Sequence, residues 1–347
     1  MTTADSGTLS LPRLQDEIQA ELRGSVALCA QAPVLRGMLE YHLGWRDERL
    51  AQISAPAGKL LRPVFCLLAA HAVGGDYRPA LPAAAAVELV HNFSLIHDDI
   101  QDRSLERRHR RTVWSIWGEA QAIDAGDAML VIAQLALLRL ADRGVPAPSV
   151  LRAASALNLA CLRLAEGQHL DISFEGRPEV TPEDYLRMVT GKTAALLGGS
   201  LEIGAIVGGA SPELAERYRD FGIELGIAFQ IEDDRLGIWG DPAKTGKSTA
   251  DDVRQRKMTL PVIHALRHAR SEDAADLRRI YCGGVPSEED VARAVSAIER
   301  SGARQHVEQA ARVHQRRALE RLDAASPSQP AGELIARLAD SLLGREA

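Results

Sequence analysis

An all-helical fold is what this sequence predicts, and three observations carry that expectation. Aromatic residues make up only 4% of the 347 residues, while alanine and leucine are abundant, a balance that favours helices over sheets. Apolar residues recur at helical spacing, as in Leu14, Ile18 and Leu22, and no run of useful length alternates apolar with polar as a strand does. Two long apolar segments each run into paired aspartates, Ser94-Leu95-Ile96-His97-Asp98-Asp99-Ile100-Gln101-Asp102 and Phe229-Gln230-Ile231-Glu232-Asp233-Asp234. Facing each other across a helical bundle, two such segments would make a deep central cavity with carboxylates on both rims.

The composition supports one large domain. With 46% hydrophobic and 25% charged residues, the chain can bury a sizeable core. It shows no short-period repeat and no low-complexity linker, so a single domain over residues 12–347 is expected, after a loose polar segment at 1–11. A net charge of −6 argues against nucleic acid as a partner. Cys29, Cys66, Cys161 and Cys282 lack metal-type spacing and read as small buried hydrophobes in a reducing compartment. Met1 to Leu11 has neither a basic start nor an apolar core, and no apolar run reaches the ~18–20 residues that span a bilayer. A cytoplasmic protein without a membrane span is the expectation.

The elements follow in order. A first amphipathic helix begins near Leu14. Ser54 to Gly58 breaks the chain at Pro56, and Gly58-Lys59-Leu60-Leu61-Arg62-Pro63 opens an apolar helix over Val64 to Val73. Lys59 and Arg62, three apart, would then share a helical face. Gly74-Gly75 and Pro79 to Pro82 break the chain again, and Ala83 to Asp102 reads as one long helix. Thr112 to Ala141 and Leu151 to Phe174 read as further helices. In the second of these, Gln168 and Asp171 lie on one side, as a hydrogen-bond network or as a cavity lining. Thr181-Pro182-Glu183-Asp184 has the residues of a helix start: a capping threonine, proline in the first turn, then acids.

That helix carries Gly191-Lys192-Thr193 and a run of small residues suited to close helix contact. After Asp234 the sequence turns loop-like. Gly246-Lys247-Ser248 resembles the end of a P-loop, but the required first glycine is Asp241 and no strand precedes it, so that reading fails. Helix returns over 251–270 and continues, amphipathic, through Val307, Leu322 and Leu338.

The chemistry sits at the aspartates. Asp98 and Asp102 are four apart, one turn above the other, and like charges at that spacing repel. A divalent cation between them removes the repulsion, and hard carboxylate oxygens suit Mg²⁺, which takes one or two of them plus water and phosphate oxygens. Arg107, Arg108, Arg110 and Arg111 follow closely, and guanidinium groups grip phosphate in a bidentate fork. Carboxylates so close to arginines fit a metal–diphosphate site. His91, seven before Asp98, falls on roughly the same face.

From about residue 55 to 265 these motifs are similar, in order, to those of the trans-isoprenyl diphosphate synthases, or polyprenyl synthetases. Gly58-Lys59-x-x-Arg62-Pro63, Asp98-Asp99-x-x-Asp102 with Arg107-Arg108, Gly167-Gln168-x-x-Asp171, Lys192-Thr193 and Phe229-Gln230-x-x-Asp233-Asp234 carry the resemblance. It implies a Mg²⁺-dependent condensation of isopentenyl diphosphate with an allylic diphosphate (dimethylallyl, geranyl or farnesyl). Asp98, Asp99 and Asp102 on one side, and Asp233 and Asp234 on the other, would hold three Mg²⁺ per active site. Arg107, Lys192, Gln230 and Lys247 would contact the allylic diphosphate. Lys59, Arg62, His91 and Arg108 would bind isopentenyl diphosphate, and Thr193 and Gln230 would stabilise the allylic cation. A homodimer is also implied.

Two departures stand out. Gly237 lies where many members have a third aspartate, and His109 where many have glycine. A class I terpene cyclase on the same fold would need none of the four isopentenyl-site residues, and a non-catalytic subunit would tolerate damaged aspartates. Intact motifs favour elongation over both. In the family, bulk just before the first aspartates acts as the floor of the product tunnel. Phe93 with the small Ser94 beside it implies a short all-trans product, C20 first and C15 second.

Overall fold

The computed structural model describes residues 9–53, 58–240 and 250–343. Residues 1–8 of the expected loose segment 1–11, residues 54–57 of the break at 54–58, and Lys247 with its neighbours at 241–249 lie outside the described residues; Leu11, the end of that segment, already opens a helix. The chain forms two compact units. One comprises Met1–Asn158, Gly199–Tyr218 and Ser326–Ile335, and the other Leu159–Gly198, Arg219–Ala325 and Ala336–Ala347. Apart from one very short hairpin, the described secondary structure is helical, as the composition demands.

The first unit is built on α4 (Leu81–Gln101). Pro82 sits in its first turn, where a missing N–H costs nothing. Ala83 to Val87 and Leu89 and Val90 are fully buried, so apart from Glu88 this half is apolar all round and is enclosed by α1 (Leu11–Val26), α3 (Leu61–Gly74) and α6 (Glu119–Leu138). By length and composition α4 with its preceding turn, Arg78–Gln101, could cross a membrane, against the sequence expectation. But 72% of its apolar window is packed inside the fold, which makes it a core helix. It approaches α6 closely because Gly126 has no side chain: a Cβ there would stand 2.2 Å from His97 Nε2.

In this unit the structure departs from the sequence reading in three places. α3 begins at Leu61, because Leu60 takes a left-handed conformation (φ 52°) that ends any helix before it. Lys59 therefore does not share a helical face with Arg62. The stretch 112–141 is not one helix. Gly118, at φ 89°, separates the short α5 (Val113–Trp117) from α6. Between α4 and α5 lies an antiparallel hairpin, β1 (Glu106–Arg107) with β2 (Arg110–Arg111), too short to leave an alternating pattern in the sequence.

The second unit has its own core, in which Tyr185, Ile231, Val262, Ile263, Leu277, Tyr281 and Ile298 are at most 3% exposed. α7 (Ala147–Phe174) enters it at Leu159 and α10 (Pro212–Trp239) at Arg219. α8 (Pro182–Val189) starts with the expected cap: Thr181 Oγ1 accepts from the Asp184 amide, and Asp184 accepts in return from the Thr181 amide. α8 passes through a π-helical turn, Thr190–Ala194, into α9 (Ala195–Val207). Such turns recur at functional sites. α10 continues past Asp234 to Trp239, correcting the loop expected there, and the helix expected over 251–270 is interrupted between Asp251–Arg254 and Leu260–His268.

Candidate active site

In the first unit, Asp98 and Asp99 occupy the last turn of α4. Asp102 caps it, its amide donating to the Asp98 carbonyl at 2.8 Å. The hairpin swings Arg107 back over this turn. Its Nε donates to Asp99 Oδ1 at 2.8 Å and its Nη2 to Asp98 Oδ2 at 3.3 Å. Asp99 is 1% exposed, and burial pushes its pKa up to about 6 against the pull of Arg107. Its second oxygen, Oδ2, is buried and has no hydrogen-bond partner among the described residues.

The turn of the hairpin is Arg108-His109, with φ 52° and 59°. A two-residue hairpin of the favoured type needs positive φ at both positions, a demand that glycine meets most easily. Histidine is among the side chains that tolerate the region. The four arginines divide their work. Arg107 meets the aspartates, and Arg108 reaches over Gly58, where a Cβ would be 2.8 Å from its Nη2. Arg110 donates to the Tyr41 and Arg46 carbonyls and covers the Tyr41 ring at 4.1 Å, fastening the hairpin to α2 (Pro33–His42). Arg111 donates to the Ser115 carbonyl.

Beside this hairpin lies a cavity of about 280 Å³ lined by Tyr41, His42, Asp99, Arg107 and Arg108. Arg62 Nη1 lies 3.4 Å from His91 Nε2, and Arg62 Nε is buried without a partner. Burial, then the charges of Arg62, Arg108 and Arg107, hold His91 well below its ordinary pKa. Burial, then the charges of Arg107, Arg108 and Arg110, push His42 down to about 3. Both are therefore neutral at pH 7. Lys59 is exposed and held through its carbonyl, which accepts from Gln15 Nε2.

In the second unit, Lys192 on the π-helical turn is paired with Asp171 on α7, as Lys192 Nζ donates to Asp171 Oδ2. A polarised chain of hydrogen bonds runs beside it. Thr193 Oγ1 donates to Gln230 Oε1 at 2.8 Å, Gln230 Nε2 donates to Asp234 Oδ1 at 2.9 Å, and Tyr185 OH donates to Asp234 Oδ2 at 2.6 Å. The Leu260 amide adds a longer donation to the same oxygen at 3.3 Å. Asp234 is thus engaged on both oxygens. Burial, with the Asp252 charge, pushes its pKa up to about 7. Asp233, one residue earlier, is half-buried and lines a cavity of about 110 Å³ with Asp171, Lys192, Thr193 and Gln230.

Sequence reasoning passed over Tyr185, His42 and Asp252. Tyr185 precedes Lys192 by two helical turns, a spacing that could have suggested a shared face. Nothing in the sequence ties Asp252 to Gly237, yet a Cβ on Gly237 would lie 2.5 Å from Asp252 Oδ2. The carboxylate absent from position 237 has its space filled by another.

The donors suit Mg²⁺. They are carboxylate oxygens, and Asp99 offers a buried one that no protein group satisfies. Among the described residues no three His, Cys, Asp or Glu side chains form a closed metal cage, and an ion that keeps water and substrate oxygens does not require one.

Residues 44–298 match the sequence profile of polyprenyl synthetase. The chain is 42% identical over 306 residues to a (2E,6E)-farnesyl diphosphate synthase of Mycobacterium tuberculosis, covering 87% of this chain and 84% of that one. It is equally, 42%, identical over 327 residues to a geranylgeranyl diphosphate synthase of the same organism, covering 94% and 90%. The fold superposes on a polyprenyl synthetase crystal structure from Streptomyces coelicolor A3(2) with a TM-score of 0.88 and 38% identity, covering 96% of this chain and 98% of that one. It also superposes on geranylgeranyl pyrophosphate synthase from Corynebacterium glutamicum, solved with isoprenyl diphosphate and magnesium, with a TM-score of 0.81, 27% identity and coverage of 97% and 100%. By motif order, helical architecture and these likenesses together, the chain belongs to the polyprenyl synthetase family, the short-chain trans-isoprenyl diphosphate synthases.

Proposed function

We propose that residues 12–347 act as one synthase domain that condenses isopentenyl diphosphate with an allylic diphosphate, giving a C20 or C15 all-trans prenyl diphosphate. The observation that carries this reading is a pair of unsatisfied buried atoms of opposite character in one unit. Among the described residues Asp99 Oδ2 meets no donor and Arg62 Nε meets no acceptor. A buried polar atom without a partner is costly, and a metal–diphosphate ligand supplies both partners.

Asp98, Asp99, Asp102 and Asp233 would hold Mg²⁺, three ions per site, whose charge supports the departing diphosphate. Asp234, with both oxygens engaged, enters as the hydrogen-bond anchor of Gln230. Arg107 and Lys192 contact the allylic diphosphate, and Lys247 is assigned with them from the resemblance alone. Lys59, Arg62, His91 and Arg108 bind isopentenyl diphosphate.

The Thr193–Gln230–Asp234 chain points the Thr193 proton at Gln230, so the lone pairs of the Thr193 oxygen remain for the developing allylic cation. Breaking the allylic C–O bond leaves that cation. The isopentenyl double bond attacks it, and the proton lost passes to the departed diphosphate, since no side chain of suitable basicity is assigned to the step. Water must be excluded, or it captures the cation.

A second copy of the chain completes the proposal. Ile123, Val131, Leu135 and Leu138 form a stripe along α6 that is 45–58% exposed, an apolar face that a homodimer would cover. The deciding experiment is incubation with isopentenyl diphosphate, Mg²⁺ and each allylic substrate in turn, with products separated by chain length. No elongated product from any of them overturns the reading.

A further inference from the structure

The stretch Lys257-Met258-Thr259-Leu260-Pro261 carries a hydroxyl that the proposed function leaves unused. Thr259 is 6% exposed and stands at the N-cap of the helix Leu260–His268, in extended conformation (φ −78°, ψ 161°). Its backbone is engaged: the amide donates to the Lys257 carbonyl at 2.9 Å, and the carbonyl accepts from the Ile263 amide at 3.0 Å. Its side chain is not. A threonine in this position usually accepts from the amide two or three residues on. Two residues on is Pro261, which has no amide hydrogen, and the hydroxyl makes no capping bond to the next amide either. The Leu260 amide is directed to Asp234. Thr259 Oγ1 is buried, and among the described residues it has no hydrogen-bond partner.

That hydroxyl borders a cavity. Thr259 lines the space of about 110 Å³ that Asp171, Lys192, Thr193, Gln230 and Asp233 also line. The helix it opens thereby brings its N-terminus, the positive end of its dipole, to the same wall, a placement that favours an anion. Thr193 and Gln230 on this wall are bonded to each other, and Asp171 to Lys192. A buried hydroxyl left without a partner is costly, and a diphosphate oxygen, which can only accept, is the partner it can donate to.

We propose that Thr259 is a further ligand-contacting residue of the allylic diphosphate subsite, its hydroxyl donating to a diphosphate oxygen held by Lys192 and the Mg²⁺ of Asp233. The inference rests on the assignment of Lys192 and Asp233 made above. It separates two states of the protein. In the empty protein the hydroxyl adds nothing to the fold, whereas in the complex it makes a charge-assisted bond.

The test is Thr259→Val, which keeps the shape and the extended backbone and removes the hydroxyl. Without ligand the variant should melt at or above wild type, since a methyl group replaces an unsatisfied polar one. With Mg²⁺ and inorganic diphosphate as the probe, wild type should gain melting temperature and the variant should gain less. Calorimetry of the same probe should show binding weakened by about tenfold, the worth of one hydrogen bond to a charged group. In turnover the allylic KM should rise and the isopentenyl KM stay unchanged. Thr259→Ser, which restores the hydroxyl, should bind the probe within about threefold of wild type.

If wild type itself gains nothing from Mg²⁺ and diphosphate, the diphosphate assignment of this cavity fails and the inference fails with it. If wild type responds and Thr259→Val responds equally, the role of Thr259 alone is overturned. A ligand-free Thr259→Val that melts well below wild type, or does not fold, would make the hydroxyl part of the fold and overturn the inference as well. A serine variant that binds as weakly as the valine one would assign the effect to the methyl group and count against it equally.

Discussion

A Cβ on Gly167 would stand 2.0 Å from the amide nitrogen of Lys192. The backbone of α7 therefore lies directly against the π-helical turn. From the other side, a Cβ on Gly191 would meet the Arg163 carbonyl at 2.6 Å. This contact sets the height of Lys192 on α7 and brings its ammonium to Asp171, one turn beyond Gly167. Gly167→Ala must push the turn away from α7. Overpacking of this kind costs about 1–3 kcal/mol. The variant should melt several degrees below wild type and lose most of its turnover. Unchanged melting and activity would show that the turn adapts freely.

The empty side of Gly237 leads to a second expectation. As a plain gap in the aspartate motif, position 237 invites a carboxylate that would tighten Mg²⁺. But Asp252 Oδ2 already stands 2.5 Å from where a Cβ would go. Gly237→Asp should therefore displace Asp252, lower the melting temperature and leave apparent Mg²⁺ affinity unchanged or weaker. Tighter Mg²⁺ activation in a steady-state titration would count against this view.

These two glycines show how far the sequence was legible. The all-helical class was readable because α4 and the core helices carry their apolar period openly, and the cap at Thr181 because its residue types have one main use. The meeting of carboxylates and a guanidinium was readable from residue types at short spacing, as at Asp98-Asp99-x-x-Asp102 with Arg107. What escaped depends on contacts far apart in the chain or on backbone conformation. Tyr185 reaches Asp234 and Asp252 fills Gly237, relations that no local spacing encodes. The turn at Arg108-His109 was hidden because neither residue is a usual turn former. The left-handed Leu60 moved Lys59 off the helix for the same reason.

Lys59 and Arg62 should separate the two substrates. On the proposed assignment, Lys59→Ala and Arg62→Ala would each remove a charge-assisted contact worth about 1.5–3 kcal/mol. The isopentenyl KM should rise at least tenfold while the allylic KM moves little. Arg62 should show the larger effect, since its Nε is buried without a partner whereas Lys59 is exposed. Equal changes in both KM values would contradict the division.

On the metal side, Asp102→Ala and Asp233→Ala should each cut kcat by orders of magnitude, because a ligand of an ion supporting the leaving group is lost. Asp102→Ala within a few-fold of wild type would remove the first motif from the metal site.

Asp234 should leave a signature in pH. Its folded pKa, raised by burial to about 7 from 3.8, means that the folded protein holds this proton more tightly than the unfolded chain. The resulting stabilisation is complete below pH ~3.8 and is lost as pH rises through about 7. Asp234→Asn carries no such charge. Its melting temperature relative to wild type should improve steadily from pH 5 to pH 8 in metal-free buffer, whatever constant cost the amide brings. A difference that stays flat over that range would mean that Asp234 ionises as an ordinary carboxylate.

Product length is the remaining expectation, and it rests on α4. A side chain five residues before Asp98 lies about 7–8 Å along the helix at 1.5 Å per residue. Phe93 stands there, half-buried, with its ring edge-on to His97 at 5.8 Å between centroids. His97 is fixed in turn against Gly126 and the Ile123 carbonyl of α6, so the Phe93 ring has a firm neighbour on one side. Ser94 turns its hydroxyl back to the His91 carbonyl at 2.7 Å and adds little bulk. If this end of α4 floors the product tunnel, one large side chain beside one small one would make a partial floor, the arrangement expected for a C20 product ahead of C15. Phe93→Ala should lengthen the main product by at least one five-carbon unit, and Ser94→Phe should shorten it. Because Phe93→Ala also frees one side of His97, turnover of the shortest allylic substrate should be followed in parallel, and it should change by less than the product distribution does. A product ladder unchanged in both variants would place the floor on another helix or on the second copy of the chain.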